Sequence, residues 1–542
     1  MISSNTEKII EDAVNAFHNN RASDAFKTLN QSLQADPENV GILNTLGDLY
    51  YLSNNIMKAH DLWDQSLTIN PRQVDIIFNI ALIHTQNNAY TKALEAYNNL
   101  LDINPNDVDS LNNRGNLFLK LFMYDRAVED YKSALEKGFN RFEVFYNLAI
   151  CINELGLYKD AINFYNTALA LNPRAPEIYN NMALIYMYID SKKAKDLLMQ
   201  ALNIKSDYGE AQYNLAILYL STGEYEEGWR AYETRHNLKQ FNFYKDRYQL
   251  NILRENSSPW LGQEDVKGKI LYVYPEQGFG DFIQFCRYIP ILESMGAIIW
   301  LEIPKPLRSI ISSIDCKYRL VENIQNGFDY QCPIMSLPLA LKTNINNIPA
   351  PKKYLHAESR KIIIWGEKLG IKKRLRAGIV WKGGFHKKDP RSWSVNNRRN
   401  ININLLEELF IQDIDIFSLQ KGADAEKELE IFKKVNTHLT IHDYTDMLLD
   451  FGDTAALIEN LDLVITVDTA VAHLSASLGK ETWILNRFDN CWRWFSDHRT
   501  SSPWYPTVRI FTQKVPGQWE GVVSEVVIEL KNSIINNIKK FH

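Results

Sequence analysis

Two short segments of this 542-residue chain place reactive side chains where an α/β fold binds its ligands. The first is Pro275-Glu276-Gln277-Gly278-Phe279-Gly280-Asp281-Phe282-Ile283-Gln284, between the apolar run Ile270–Tyr274 and a helical pattern. Strand, glycine loop and helix is the order that cradles a nucleotide phosphate. Here the position of the third glycine is Ile283, so the dinucleotide fingerprint is not met. A helix N-terminus favours anions, and Asp281 supplies one itself as an N-cap. Its carboxylate would repel a pyrophosphate. The loop therefore reads as a carboxylate at the mouth of a cleft, with Gln277, Gly278 and Gly280 forming an acceptor loop open to another molecule. Such a carboxylate is suited to take a proton from a hydroxyl. A plain structural cap with turn glycines fits the same letters.

The second segment is Ile465-Thr466-Val467-Asp468-Thr469-Ala470-Val471-Ala472-His473-Leu474, a buried strand running into a helix. Asp468 is expected to cap, Thr469 to offer a hydroxyl, and Ala470 and Val471 to offer free amides, which makes an anion site. His473 lies four residues after Thr469, on the same helix face. A helix histidine bonded to a carbonyl is the alternative. A helix terminus contributes only ~0.3–2 kcal/mol toward an anion, so a diphosphate needs cations as well. Residues 372–399 hold ten Lys/Arg and one acid, Asp389. Within them the loop Lys382–Trp393 offers Arg391, which can grip two phosphate oxygens, and Lys382. Lys372–Arg374 and Arg398-Arg399 read as a solvated basic linker.

The elements that must carry these segments come in two textures. Over residues 5–235 the chain repeats about every 34 residues. Pro37, Pro71 and Pro105 keep that spacing. Two columns of small residues keep it independently: Ala25, Ala59, Ala93, Ala127, Ala161, Ala194 and Gly228, and Ala13, Gly47, Ala81, Gly115, Ala149, Ala183 and Ala216. This describes about seven tetratricopeptide (TPR) repeats, helix pairs stacked into a superhelix with a concave binding face. Two residues before the second column stand Asn79, Asn113, Asn147, Asn181 and Asn214. An asparagine offers donor and acceptor together, so these five form a candidate peptide-binding ladder. The same residue is also ordinary repeat consensus.

A polar, aromatic linker follows over 236–267. Then short β-rich runs alternate with helices in two groups, 268–355 and 374–515, and a helix closes the chain over 516–542. Two Rossmann-like halves facing across a cleft are expected, with ligands outside the carboxyl ends of the strands. The composition is 45% hydrophobic and 23% charged with a net charge of −5, which argues against nucleic acid as a partner. The five cysteines, Cys151, Cys286, Cys316, Cys332 and Cys491, show no C-x-x-C spacing. They read as reduced thiols of a cytoplasmic protein with no zinc site. The first residues do not form a signal peptide, and no apolar run is long enough for a membrane span.

Glu276–Asp281, the Val467–His473 segment and Ser502-Pro503-Trp504-Tyr505-Pro506 together resemble bacterial TPR glycosyltransferases whose catalytic halves are similar to lipopolysaccharide heptosyltransferases. The arrangement of repeats before a transferase also resembles protein O-GlcNAc transferases. The resemblance implies an N-terminal TPR α-superhelix followed by a GT-B pair of Rossmann-like α/β domains. It implies inverting transfer from a nucleotide sugar, with no cofactor and no essential metal. Asp281 then matches the catalytic base. Lys382, Arg391 and the turn Asp468, Thr469, Ala470, Val471 and His473 match the donor site, and Trp393 follows Arg391 with similar spacing. Gln420 and Lys421 fall where the family binds the nucleoside. Ala470 stands where that family commonly has glycine, and nothing matches its lipid-acceptor surface. The expectation is a sugar transferase acting on a Ser or Thr hydroxyl of a protein or peptide that the repeats recruit. The rivals are a TPR scaffold with an inactive transferase half, and a glycan-assembly enzyme whose repeats hold an assembly partner.

Overall fold

The structure is a computed structural model that describes residues 2–238, 241, 259–322, 327–384 and 391–541. The side chains of 2–5, 391–394 and 536–541 lie outside the described set, and so do the expected roles of Arg391 and Trp393. The chain divides into two compact units, Met1–Pro173 and Arg174–His542.

The first unit consists of five helical hairpins: Ile2–His18 with Ala22–Ala35, Val40–Leu52 with Ile56–Ile69, Val74–Gln86 with Tyr90–Ile103, Val108–Lys120 with Tyr124–Glu136, and Phe142–Glu154 with Tyr158–Leu171. Packing explains the small-residue columns. Ala25, Ala59, Ala93, Ala127 and Ala161 are wholly buried. A Cβ on Gly47 would enter the indole of Trp63, and one on Gly115 would lie 2.9 Å from Tyr131 Cε1. A large aromatic from the second helix thus fills the space that the small residue leaves in the first. The turn between the helices repeats as well. Asn20, Asn54, Asn88, Phe122 and Gly156 all have positive φ, the left-handed conformation that ends a helix.

The second unit begins with two more hairpins, Pro176–Tyr186 with Ser191–Ile204 and Gly209–Thr222 with Tyr225–Tyr232. Two parallel sheets follow. One is built from β1 (Ile270–Tyr274), β2 (Ile298–Glu302), β3 (Arg319–Val321) and β4 (Tyr330–Pro333), in the order β3-β2-β1-β4. The other contains β5 (Leu375–Val380), β6 (Ile414–Ser418), β7 (Ile441–Asp443), β8 (Leu463–Val467), β9 (Glu481–Asn486) and β10 (Val508–Thr512), in the order β10-β9-β8-β5-β6-β7. The order reverses beside β1 in the first sheet and between β5 and β8 in the second. Crevices that take ligands open at such reversals. The protein therefore has TPR helical hairpins followed by a parallel-sheet α/β region.

One apolar core joins the last hairpin to both α/β halves. Tyr225, Trp229 and Tyr232 pack with Trp492, Trp494 and Trp504 of the second half and Phe285 of the first. Trp229 meets Trp492 and Trp504 edge-on, and Trp504 Nε1 donates to the Tyr225 hydroxyl at 3.0 Å. Burying aromatics of this size contributes roughly 1.5–3 kcal/mol each. A second core lies behind the six-stranded sheet, where the closing helix Glu520–Phe541 buries Val522, Val523, Val526, Val527 and Leu530.

Candidate functional site

β1 ends at Tyr274, and the loop after it opens the helix Phe279–Phe285. Asp281 is not the cap of that helix. Gly278 is, and Asp281 sits in the first turn, where its Oδ2 accepts the Gly278 amide at 2.8 Å. Oδ1 accepts from Arg493 Nη2, which comes from the other half of the α/β region. About a fifth of the Asp281 side chain remains exposed. Burial holds its pKa above the usual carboxylate value. Arg493 and the Gly278 amide oppose that shift, and the nearby Asp468 and Glu276 add to it. Gln277 donates to the Tyr232 hydroxyl at 3.2 Å, and Glu276 is held by Arg235 Nη2 at 2.7 Å, so this loop is tied directly to the end of the last hairpin.

Gly280 does not leave room for a substrate. It leaves room for His473. A Cβ on Gly280 would lie 2.8 Å from His473 Cδ2 and 3.5 Å from the Ala470 Cα. The helix Phe279–Phe285 thus packs directly against the helix Ala470–Ser477 of the other half. His473 is 4% exposed and stacks on Trp494, and its Nδ1 is 2.8 Å from the Tyr505 hydroxyl. Burial pushes its pKa down to about 3, so the ring is neutral at neutral pH. The expectation that His473 faces the donor with Thr469 gives way here: the neighbouring helix covers that face, and His473 is a packing element of the cleft wall.

Thr469, not Asp468, is the N-cap of the helix Ala470–Ser477, and no side chain caps it. Its hydroxyl lies 3.1 Å from that of Thr466. Thr469, Ala470 and Val471 line a cavity of about 340 Å³ together with Lys382, Gln420 and Lys421 at the ends of β5 and β6, and Phe279 of the facing half. Leu448, Leu449, Asp450, Phe451 and Thr454 also line it. Gln420 acts differently from the expectation. Its Oε1 accepts from the amides of Trp381 and Lys382, and its Nε2 donates to the carbonyls of Lys382 and Lys421. It clamps the ends of two strands, and its hydrogen-bonding groups are all engaged. Lys382 pairs with Glu428 at 2.8 Å, and Lys421 donates to the Thr445 carbonyl at 2.6 Å.

The pair Arg398-Arg399 is no solvated linker. Arg398 pairs with Asp489 at 2.9 Å. Arg399 Nη1 donates to the carbonyl of Asp468 at 2.9 Å, and Nη2 donates to Asn396. Its buried Nε meets no partner among the described residues. Gly383 has no side chain because a Cβ there would collide with the Arg399 guanidinium. Burial presses against the charge of Arg399, Asp468 supports it, and Arg487 adds repulsion. Sequence reasoning missed Arg399 and Arg493. Arg399 lies two residues before Ile401, whose amide donates to the Trp381 carbonyl and brings this segment beside the end of β5, a long-range bond that no local sequence signal announces.

Asn79, Asn113, Asn147, Asn181 and Asn214 occupy one position of their hairpins, and all are half-buried. Among the described residues Asn147 donates to Asn116 at 2.9 Å and Asn214 to Asn180 at 2.8 Å, Asn113 accepts from Asn112 at 3.3 Å, and Asn181 accepts from Asn180.

Such a chain, helical hairpin repeats followed by two parallel sheets with an uncapped helix start in the crevice, is matched piecewise by known families. Residues 81–121 and 153–188 match a TPR repeat family, 108–136 match the tetratricopeptide repeat, and 414–484 match glycosyltransferase family 9 (heptosyltransferase). The last match takes in Gln420, Lys421 and Asp468–His473 and does not reach Asp281. Protein FlbA of Caulobacter vibrioides is 26% identical over 360 residues, which is 62% of this chain; the chain spans 57% of the length of that relative. Among solved structures, a tetratricopeptide repeat protein from Parabacteroides merdae is 20% identical, covering 46% of this chain and 96% of its own, with a TM-score of 0.34. The pilF protein of Pseudomonas aeruginosa is 15% identical, covering 39% of this chain and 96% of its own, with a TM-score of 0.33. The repeat and family 9 matches support a glycosyltransferase with a TPR region. Among the described residues no helix is long and apolar enough to cross a membrane.

Proposed function

We propose that the protein transfers a sugar, with inversion, from a nucleotide sugar to a Ser or Thr hydroxyl of a polypeptide recruited by its repeats. Asp281 takes the hydroxyl proton as the oxygen attacks the anomeric carbon. The bond from that carbon to the diphosphate breaks, and the nucleoside diphosphate leaves. The amides of Ala470 and Val471, Lys382 and Arg399 meet its negative charge, and Arg391 is assigned to the same task. Leu448, Leu449 and Thr454 receive the base.

The observation that carries this reading is the single cavity that gathers Thr469, Ala470, Val471, Lys382 and Lys421 at the strand ends, with Phe279, two residues before Asp281, among its walls. The reading is tested in two steps on the full chain. Thermal shift with UDP, GDP, ADP and CMP should show stabilisation by one base class. The corresponding nucleotide sugars are then assayed for transfer to peptide and protein acceptors. Asp281→Asn keeps the shape and should lower kcat by ~10²–10⁴-fold with little change in diphosphate affinity. No stabilisation by any nucleotide and no transfer from any sugar donor would overturn the proposal in favour of a binding protein.

A further inference from the structure

We propose that Arg493 is the positioning residue of Asp281, reaching from the donor half to fix the orientation and ionisation of a carboxylate in the acceptor half. This rests on the reading of Asp281 as the base.

The geometry leaves Arg493 no other task. Its Nε donates to Gln284 Oε1 at 2.5 Å, its Nη1 lies 3.2 Å from Cys491 Sγ, and its Nη2 donates to Asp281. The guanidinium lies over the Trp492 ring, 4.3 Å from its centroid. Arg493 is 7% exposed and its fork is held on every side, so it acts on a substrate only through Asp281. Gln284 is itself wholly buried, one turn after Asp281 on the same helix, and its Nε2 finds no partner among the described residues. Its one satisfied side-chain bond is the one that holds Arg493.

The charges around Asp281 explain why a cation is needed there. Asp468 approaches from the turn after β8 and Glu276 from its own loop, and Glu276 is already engaged by Arg235. His473 on the facing helix is neutral, and Tyr232 of the last hairpin and Cys491 carry no charge at neutral pH. Among the described residues Arg493 is thus the cation that pairs directly with Asp281. A buried carboxylate beside other carboxylates and without this partner would keep its proton, and a protonated acid cannot accept one. Because 212 residues separate the pair and each member belongs to a different half, the base is set only while the two halves are docked.

The test uses the full chain with Arg493→Lys and Arg493→Met, and Asp281→Asn as reference. Removing an opposite charge raises a carboxylate pKa by about 1–3 units, so the acid limb of kcat should move to higher pH by that amount in Arg493→Met and less in Arg493→Lys. Donor KM should stay within about twofold. A structural ion pair would lower stability in both variants and leave the limb in place, and that result overturns the proposal. If Arg493→Met does not fold, Arg493→Lys decides alone. An infrared titration of the Asp281 carboxyl, taken as the difference between wild type and Asp281→Asn in each background, needs no turnover. A midpoint that rises in Arg493→Lys upholds the pairing even if Asp281 proves not to be a base, and an unchanged midpoint overturns it.

Discussion

Gly280 and His473 are in contact across the two α/β halves, at a separation that admits no Cβ on the glycine. Asp281 follows Gly280 directly, and the helix of His473 begins at the turn that lines the cavity at the strand ends, the one proposed for the donor. The expected acceptor and donor elements are therefore packed against one another as neighbouring helices. Whatever separates those helices moves the carboxylate away from the helix start proposed to hold the diphosphate.

Gly280→Ala tests that closeness. The added methyl meets an imidazole held by Trp494 and Tyr505, so it cannot be absorbed by a free side-chain rotation. Overpacking of this kind costs roughly 1–3 kcal/mol. The urea midpoint should fall, and transfer should fall further than nucleoside diphosphate affinity. Unchanged stability would mean that the helices part freely at this point.

His473 gives the interface a pH dependence with a definite sign. Its folded pKa is depressed to about 3, against 6.5 for an ordinary histidine. Above 6.5 both folded and unfolded states are neutral and the full stability is present. Between 6.5 and about 3 only the unfolded chain takes a proton. Stability is then lost as pH falls, by up to about 1.4 kcal/mol per unit. His473→Gln should lack this component. The check is the difference in urea midpoint between pH 7.5 and 5.5 for the two proteins. Equal slopes would show that the histidine titrates normally in the fold.

The repeats were legible because each position of a hairpin meets the same packing demand every time. Gly47 before Trp63 and Gly115 before Tyr131 leave a trace that needs no tertiary knowledge. The left-handed turns at Asn20, Asn54, Asn88 and Phe122 carry the same period, but asparagine and phenylalanine do not announce that conformation together. The strand-loop-helix around Asp281 was legible for a local reason too. What lies opposite a residue was not. A glycine states that something approaches its backbone, and here the visitor is His473 instead of a ligand. Arg493 sits in Cys491-Trp492-Arg493-Trp494, which reads as an aromatic core segment until its distant partner Asp281 is seen. Arg399 looked like linker because adjacent arginines in a polar run give no sign of a gap at Gly383 that one of them fills.

Arg399→Lys addresses the proposed diphosphate contact. It keeps the charge and loses the fork that donates to the Asp468 carbonyl and to Asn396 and whose Nε has no partner among the described residues. A hydrogen bond to a charged group is worth about 1.5–3 kcal/mol, so nucleoside diphosphate affinity should drop roughly 10- to 150-fold. Titration calorimetry with the diphosphate and with the free nucleoside separates two causes. Loss confined to the diphosphate marks a phosphate contact. Equal loss for both marks a collapsed turn, and the assignment to the phosphates then fails.

The asparagine column calls for a control that the structure supplies. Asn113, Asn147 and Asn181 replaced together by alanine should weaken acceptor binding, since each lost peptide hydrogen bond costs about 0.5–1.5 kcal/mol. Three such losses amount to roughly tenfold to a thousandfold in acceptor KM. Asn147, however, donates to Asn116, so its removal also disturbs the hairpins themselves. Asn116→Ala breaks that bond without touching the column. If the triple variant raises acceptor KM, leaves the rate of donor hydrolysis near wild type, and Asn116→Ala leaves KM unchanged, the column grips the acceptor. If Asn116→Ala alone reproduces the loss, the asparagines serve the hairpins, and recruitment belongs to another face of the repeats.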